Sequence, residues 1–144
     1  IKSNENRSLL LLKRVFEILK GQIRNKKICF LGVTFKANTD DMRDSSSLSM
    51  IPSLIKKGAL INYFDPTGAK NEFTKLKNVK FSKDIKSAIV NADLIIIHTE
   101  WNDFKSINFN KLVRNRKFKI FDMRNIYSLT KMKEKKIKYF AIGR

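Results

Sequence analysis

Apolar positions along this chain change period several times, and each change marks an element. In residues 1–25, Leu9, Leu12, Val15, Phe16 and Leu19 recur at helical spacing behind a polar start, and Gly21 is placed to end a helix. Residues 27–33 then read as a strand. Helical spacing returns over 46–57, with Leu48, Ile51, Leu54 and Ile55 on one face. Ser45 or Ser46 is its N-cap, Gly58 ends it, and Pro52 inside it predicts a kink. Residues 59–64 form a second strand, closed by Asp65-Pro66. A short helix within 68–77 and a brief strand at 79–81 follow. Asp84 caps a helix that runs to Val90. Residues 93–98 are too uniformly apolar to be half exposed, which predicts a strand covered on both faces. Short helices at 101–104 and 110–114, a strand at 119–121, a helix over 128–136 and a last strand at 138–142 complete the pattern.

Strands that alternate with helices predict an α/β fold, a Rossmann-like three-layer domain with a mainly parallel sheet and right-handed crossovers. Part of a long helix precedes it. The boundary falls after residue 25: residues 1–25 are the end of a connecting helix, and residues 26–144 are the domain. Internal repeats, low-complexity runs and flexible linkers are not visible.

Composition adds limits. A chain of 144 residues, 42% of them hydrophobic, suits one domain with a real core. Leu9 to Leu12 is a short apolar patch, not a secretory signal, and no stretch approaches the ~20 apolar residues that cross a membrane. The first residue is Ile rather than Met, so the chain is expected to be processed, truncated or a piece of something longer. Cys29 is the single cysteine, which excludes an intrachain disulfide, fits a reducing cytoplasm and reads as a small buried residue within a strand. His98 has no Cys or His neighbour and forms no metal site; packing at a strand end is its expected role, with a place lining the ligand edge as the alternative.

The formal net charge of +18 raises the question of nucleic acid. Its distribution answers against a specific site. The cations are mostly lysine, scattered over every segment, and the clusters within 75–83 and 131–138 carry no interleaved aromatics in an RNA-recognition pattern. Weak, salt-sensitive binding to polyanions is expected from such a charge alone.

The candidate chemistry lies at strand ends. Phe35-Lys36 and Arg43 follow the first strand, Thr99-Glu100-Trp101 the strand at 93–98, and Arg124 the strand at 119–121. In a parallel sheet these segments meet at the carboxyl edge, where open α/β proteins bind ligands. Cations and aromatic rings on one rim suit a ligand with phosphate and a flat ring. Each residue also has a plain structural reading. Lys36 can be a solvated side chain, Arg43 can pair with Asp40, Asp41 or Asp44, Arg124 can pair with Asp122, and Trp101 can be core. Gly32-Val33-Thr34-Phe35-Lys36-Ala37 has one glycine where the G-x-G-x-x-G dinucleotide fingerprint needs three. The adjacent acids Asp40-Asp41 are a poor acid/base pair. The residues point to a binder of an anionic ligand with no catalytic machinery of its own.

The ordered motifs Leu31-Gly32-Val33-Thr34-Phe35-Lys36, Thr39-Asp40-Asp41-Met42-Arg43-Asp44-Ser45, Tyr63-Phe64-Asp65-Pro66, Ala92-Asp93, Thr99-Glu100-Trp101, Asp122-Met123-Arg124-Asn125-Ile126-Tyr127 and Ile142-Gly143-Arg144 resemble the C-terminal, UDP-binding domain of the UDP-glucose/GDP-mannose dehydrogenases. The resemblance covers about residues 26–144 and leans to the branch that oxidises UDP-glucose; the UDP-N-acetylhexosamine and GDP-mannose branches are its nearest alternatives. It implies NAD-dependent oxidation of a UDP-sugar in the cytoplasm, with Phe35, Lys36 and Arg124 binding substrate and Arg43 facing NAD. NAD would be held mainly by an N-terminal dehydrogenase domain. It also implies that a catalytic cysteine and that dinucleotide domain stand outside these residues, so the chain by itself is expected to be inactive. The apolar face of the leading helix suggests a homodimer formed through it.

Overall fold

The computed structural model describes the backbone of residues 2–144 and the side chains of residues 6–144; Ile1, the start of the expected leading helix, lies outside the described residues. Six strands form one sheet: β1 (Lys27–Leu31), β2 (Leu60–Phe64), β3 (Val79–Phe81), β4 (Leu94–Ile97), β5 (Lys119–Asp122) and β6 (Lys138–Ala141). All pairings are parallel, in the order β3-β2-β1-β4-β5-β6. The chain leaves β1 in one direction to build β2 and β3, and then crosses back to build β4, β5 and β6 on the other side. The switch point therefore lies between β1 and β4.

Alternation along β1 divides the core in two. Ile28 and Phe30 pack with α1 (Lys2–Ile18) and α2 (Ser47–Lys56) on one face. Cys29 and Leu31 face the other layer, which holds α4 (Ile85–Ile89), α5 (Phe109–Leu112) and α6 (Leu129–Glu134). The third helix in chain order, α3 (Asn71–Thr74), sends Phe73 against Tyr63, with ring centroids 5.3 Å apart. All four residues of β4 are buried, as their uniform apolarity predicts.

Two helix faces differ from the expected ones by part of a turn. The buried apolar residues of α1 are Leu11, Leu12, Val15 and Ile18, with Leu19 just past its end, while Leu9 is 64% and Leu10 67% exposed. Most of the apolar face of this helix is thus spent on its own sheet. On α2, Met50, Ile51 and Leu54 are fully buried and Leu48 lies at the surface. That helix runs on through Pro52. Ser46 stands at its N-cap position without a side-chain cap bond. The neighbouring Ser45 and Ser47 hydroxyls instead donate to Val33 O, at 2.5 and 2.6 Å, and tie the start of α2 to the end of β1.

Candidate ligand-binding site

At the switch point the loop after β1 and the ends of β4 and β5 are fastened together. Gly32 has φ +77° and lies so close to β4 that a Cβ there would meet Thr99 Cβ at 2.5 Å, a position only glycine occupies without displacement. The Thr99 hydroxyl donates to Thr34 O at 2.9 Å. From the second strand, the buried carboxylate of Asp65 accepts from Val33 N at 2.9 Å. These bonds hold a largely polar loop against the sheet edge.

Arg124 completes the fastening. Its Nε donates to His98 O at 3.0 Å and its Nη2 to Phe35 O at 2.6 Å. One guanidinium therefore bridges the tops of β1, β4 and β5. Its side chain does not pair with Asp122, whose carboxylate accepts from the backbone N–H of Arg124 instead. Burial pulls the Arg124 pKa down, nearby Glu100 pushes it back up, and Arg7 lowers it again. A cavity of about 280 Å³ opens here, lined by Arg7, Phe35, Asp44, Ser46, His98 and Arg124.

His98 forms part of the cavity wall. Its ring meets the Ser46 hydroxyl at 3.0 Å and the Thr99 hydroxyl at 3.1 Å. Burial above all, with help from Arg124 and Arg7, pushes its pKa down to about 3, so the imidazole is neutral at ordinary pH. Cys29 is shut inside the sheet, and burial holds its thiol protonated.

Of the four residues singled out in the sequence, Phe35 and Arg124 share this cavity. Lys36 is an exposed residue of the same loop, close enough to Asp41 to act on its charge, and does not line the cavity. Arg43 lies on a neighbouring groove of about 420 Å³ between the loop and residues 67–72. There it forms a two-oxygen ion pair with Asp41, Nη2 to Oδ2 at 2.8 Å and Nε to Oδ1 at 3.0 Å. That contact holds the Asp41 carboxyl down at about 2. Trp101 is core, packed in the layer with Phe104 and Phe109.

Sequence reasoning missed Arg7, which reaches the rim from α1. Its only signal was its spacing from Leu11 and Val15. Among the described residues no group of acidic, histidine or cysteine side chains is arranged to hold a metal, and no helix is long and apolar enough to cross a membrane.

A doubly wound parallel sheet with an arginine-lined crevice at its switch point is the architecture of a nucleotide-binding domain. Residues 29–129 match a family model described as the UDP-glucose/GDP-mannose dehydrogenase family, UDP binding domain. The chain belongs to this family of oxidoreductases. It is 36% identical over 142 residues to a UDP-glucose 6-dehydrogenase of Rhizobium meliloti, covering 98% of this chain and 32% of the relative. A UDP-glucose 6-dehydrogenase of Rickettsia felis is 35% identical over 146 residues, covering 99% and 33%. The chain thus spans about a third of the length of the curated relatives it matches. Among solved structures, a UDP-glucose dehydrogenase from Pyrobaculum islandicum superposes with TM-score 0.72 at 25% identity, over 96% of this chain and 30% of that one. An NDP-N-acetyl-D-galactosaminuronic acid dehydrogenase from Methanosarcina mazei shares the fold, with TM-score 0.77 at 23% identity over 96% and 29%.

Proposed function

We propose that this chain forms the UDP-sugar-binding side of the active site of a UDP-glucose 6-dehydrogenase, which oxidises UDP-glucose to UDP-glucuronate with NAD. The observation that carries this reading is Arg124, a half-buried guanidinium fixed to the tops of two strands in a cavity it shares with Phe35. Two of its N–H groups hold backbone carbonyls, and the others are available to a diphosphate. Phe35, 48% exposed, offers a ring to the flat or apolar part of the ligand. Lys36 adds a mobile point charge from the same loop. Arg43 is assigned to the cofactor side, where NAD would be held mainly by an N-terminal dehydrogenase domain, and its pair with Asp41 has to open or be shared for that contact.

The 144 residues alone are proposed to oxidise nothing, because their one thiol is buried and protonated and presents no thiolate to a substrate. Residues 1–25 are assigned to the connecting helix and 26–144 to the UDP-sugar domain. Leu9 and Leu10, the leucines that α1 leaves in solvent, are offered as the contact through which two copies form a homodimer. A buried free cysteine suits work in the reducing cytoplasm.

Calorimetric titration tests the reading. UDP and UDP-glucose should bind this chain weakly, since a one-walled cleft desolvates little of the ligand. Arg124→Gln should weaken both at least tenfold, and Lys36→Ala less. UDP-glucose binding better than GDP-mannose supports the assigned branch. Equal UDP affinity in wild type and Arg124→Gln overturns the site. Retention on duplex DNA above ~200 mM salt, without UDP binding, would instead identify a basic nucleic-acid module.

A further inference from the structure

We infer that Arg7, on the helix that precedes the sheet, and Arg124, at the end of β5, form the two jaws of one clamp for a diphosphate. The inference deepens the function proposed above and adds a residue from a different part of the chain.

Helical phase comes first. Residues 7, 11, 15 and 18 fall on one ridge of α1. Leu11, Val15 and Ile18 of that ridge are buried against the sheet, at 5%, 0% and 3% exposure. Arg7 continues the ridge by one turn, past the apolar core and over the rim. A cation at an inward-facing phase has no role in the core below it. Here it lines the cavity with Phe35, His98 and Arg124.

Charge is the second argument. The side chain of Arg7 has no hydrogen bond or ion pair among the described residues, and Arg124 bonds only to neutral carbonyls through its side chain. Arg7 is close enough to make both His98 and Arg124 harder to protonate. Two guanidiniums thus repel across a shared cavity. Two carboxylates stand nearby: Asp44 in the cavity wall, which has an interaction of its own, and Glu100, which stabilises the Arg124 charge. Among the described residues Glu100 forms no ion pair with Arg7 or Arg124. A ligand carrying two adjacent negative groups relieves the repulsion, and each guanidinium fork can take one phosphate through paired N–H bonds. His98, held neutral, leaves the charge of the clamp to the arginines. Binding would then fasten α1 to the sheet edge through the ligand.

The test uses inorganic pyrophosphate, UDP and uridine as separate probes on the whole chain, with thermal melts to confirm that each variant folds. Arg7→Gln should weaken pyrophosphate and UDP about tenfold or more and leave uridine unchanged. Arg7→Lys should restore part of the loss, because it returns the charge without the fork. Lys13→Gln, an exposed cation elsewhere on α1, should change nothing. If pyrophosphate and UDP bind Arg7→Gln as they bind wild type while Arg124→Gln weakens them, the clamp is wrong and the UDP site stands. If pyrophosphate binding needs Arg7 but UDP binds no tighter than pyrophosphate, the clamp stands and the uridine reading falls. If wild type binds neither at ~10 mM, both are wrong.

Discussion

His98 sits where the core strand β4 opens onto the cavity, with its ring between the Ser46 and Thr99 hydroxyls. Its pKa near 3 in the folded chain, against an ordinary 6.5, makes it an acid-sensitive point. The unfolded chain binds a proton there at pH values where the folded chain does not, so stability is lost as pH falls from about 6.5 toward 3. The slope is at most about 1.4 kcal/mol per pH unit. Urea unfolding at pH 7 and pH 5 should show wild type weakened at the lower pH, and His98→Gln should narrow that gap. An identical gap in the variant would remove His98 as the cause. At this scale the sequence was legible wherever a strand end set the position: Phe35 and Arg124 could be placed on the rim from periodicity and motif. For Lys36 and Arg43 the sequence left a rim role and a plain role open, and the plain ones, an exposed lysine and a pair with Asp41, are present in the structure, although spacing could not choose them. The chain takes left-handed backbone at Asn38, between these two residues, and at Asp44, just past Arg43, with φ of 65° and 60°, and Arg43 folds back on Asp41 two residues away. Such short-range pairing leaves no trace in hydrophobic spacing.

Elements were easier to read than their faces. Every strand and helix inferred from spacing exists, because strands buried on both sides and short amphipathic helices differ sharply in period. On α1 and α2, however, Leu9, Leu10 and Leu48 supply more leucine than one face can bury, and tertiary packing decided which stayed outside. The turn after β5 shows how an element positions the site. Asp122 is fully buried and accepts from the backbone N–H groups of Arg124, Ile126 and Tyr127 at 3.0, 2.8 and 3.1 Å and from the Tyr139 hydroxyl at 2.6 Å. Burial, with this bond, pushes the Tyr139 pKa up to about 12, so the phenol stays a donor across the working range. Asp122→Ala strands four donors and should cost roughly 2–5 kcal/mol. Asp122→Asn, which keeps one acceptor oxygen, should cost less. Chemical denaturation measures both, and UDP affinity should fall with the Ala variant because Arg124 loses its anchored backbone. Equal stability of Ala, Asn and wild type would show that the turn does not depend on this carboxylate.

For the molecule as a whole, the +18 charge has one plain physical consequence. Among the described residues the one ion pair within 4.0 Å is Arg43–Asp41, on the surface, so the excess of lysine is left to repel itself. Self-repulsion destabilises a compact state and is screened by salt over a Debye length of about 10 Å at 0.1 M. Sodium chloride should therefore raise the melting temperature by several degrees between ~10 and ~300 mM. This generic gain has to be separated from ligand binding at the rim, which stabilises by mass action and saturates with a site's own affinity. Pyrophosphate compared with sodium chloride at matched ionic strength makes the separation. Wild type should gain further stability in millimolar pyrophosphate, and Arg124→Gln should lose that increment while keeping the chloride response. A pyrophosphate effect equal to that of chloride in both proteins would mean that the basic charge acts as a diffuse cloud, with no anion site at the carboxyl edge of the sheet.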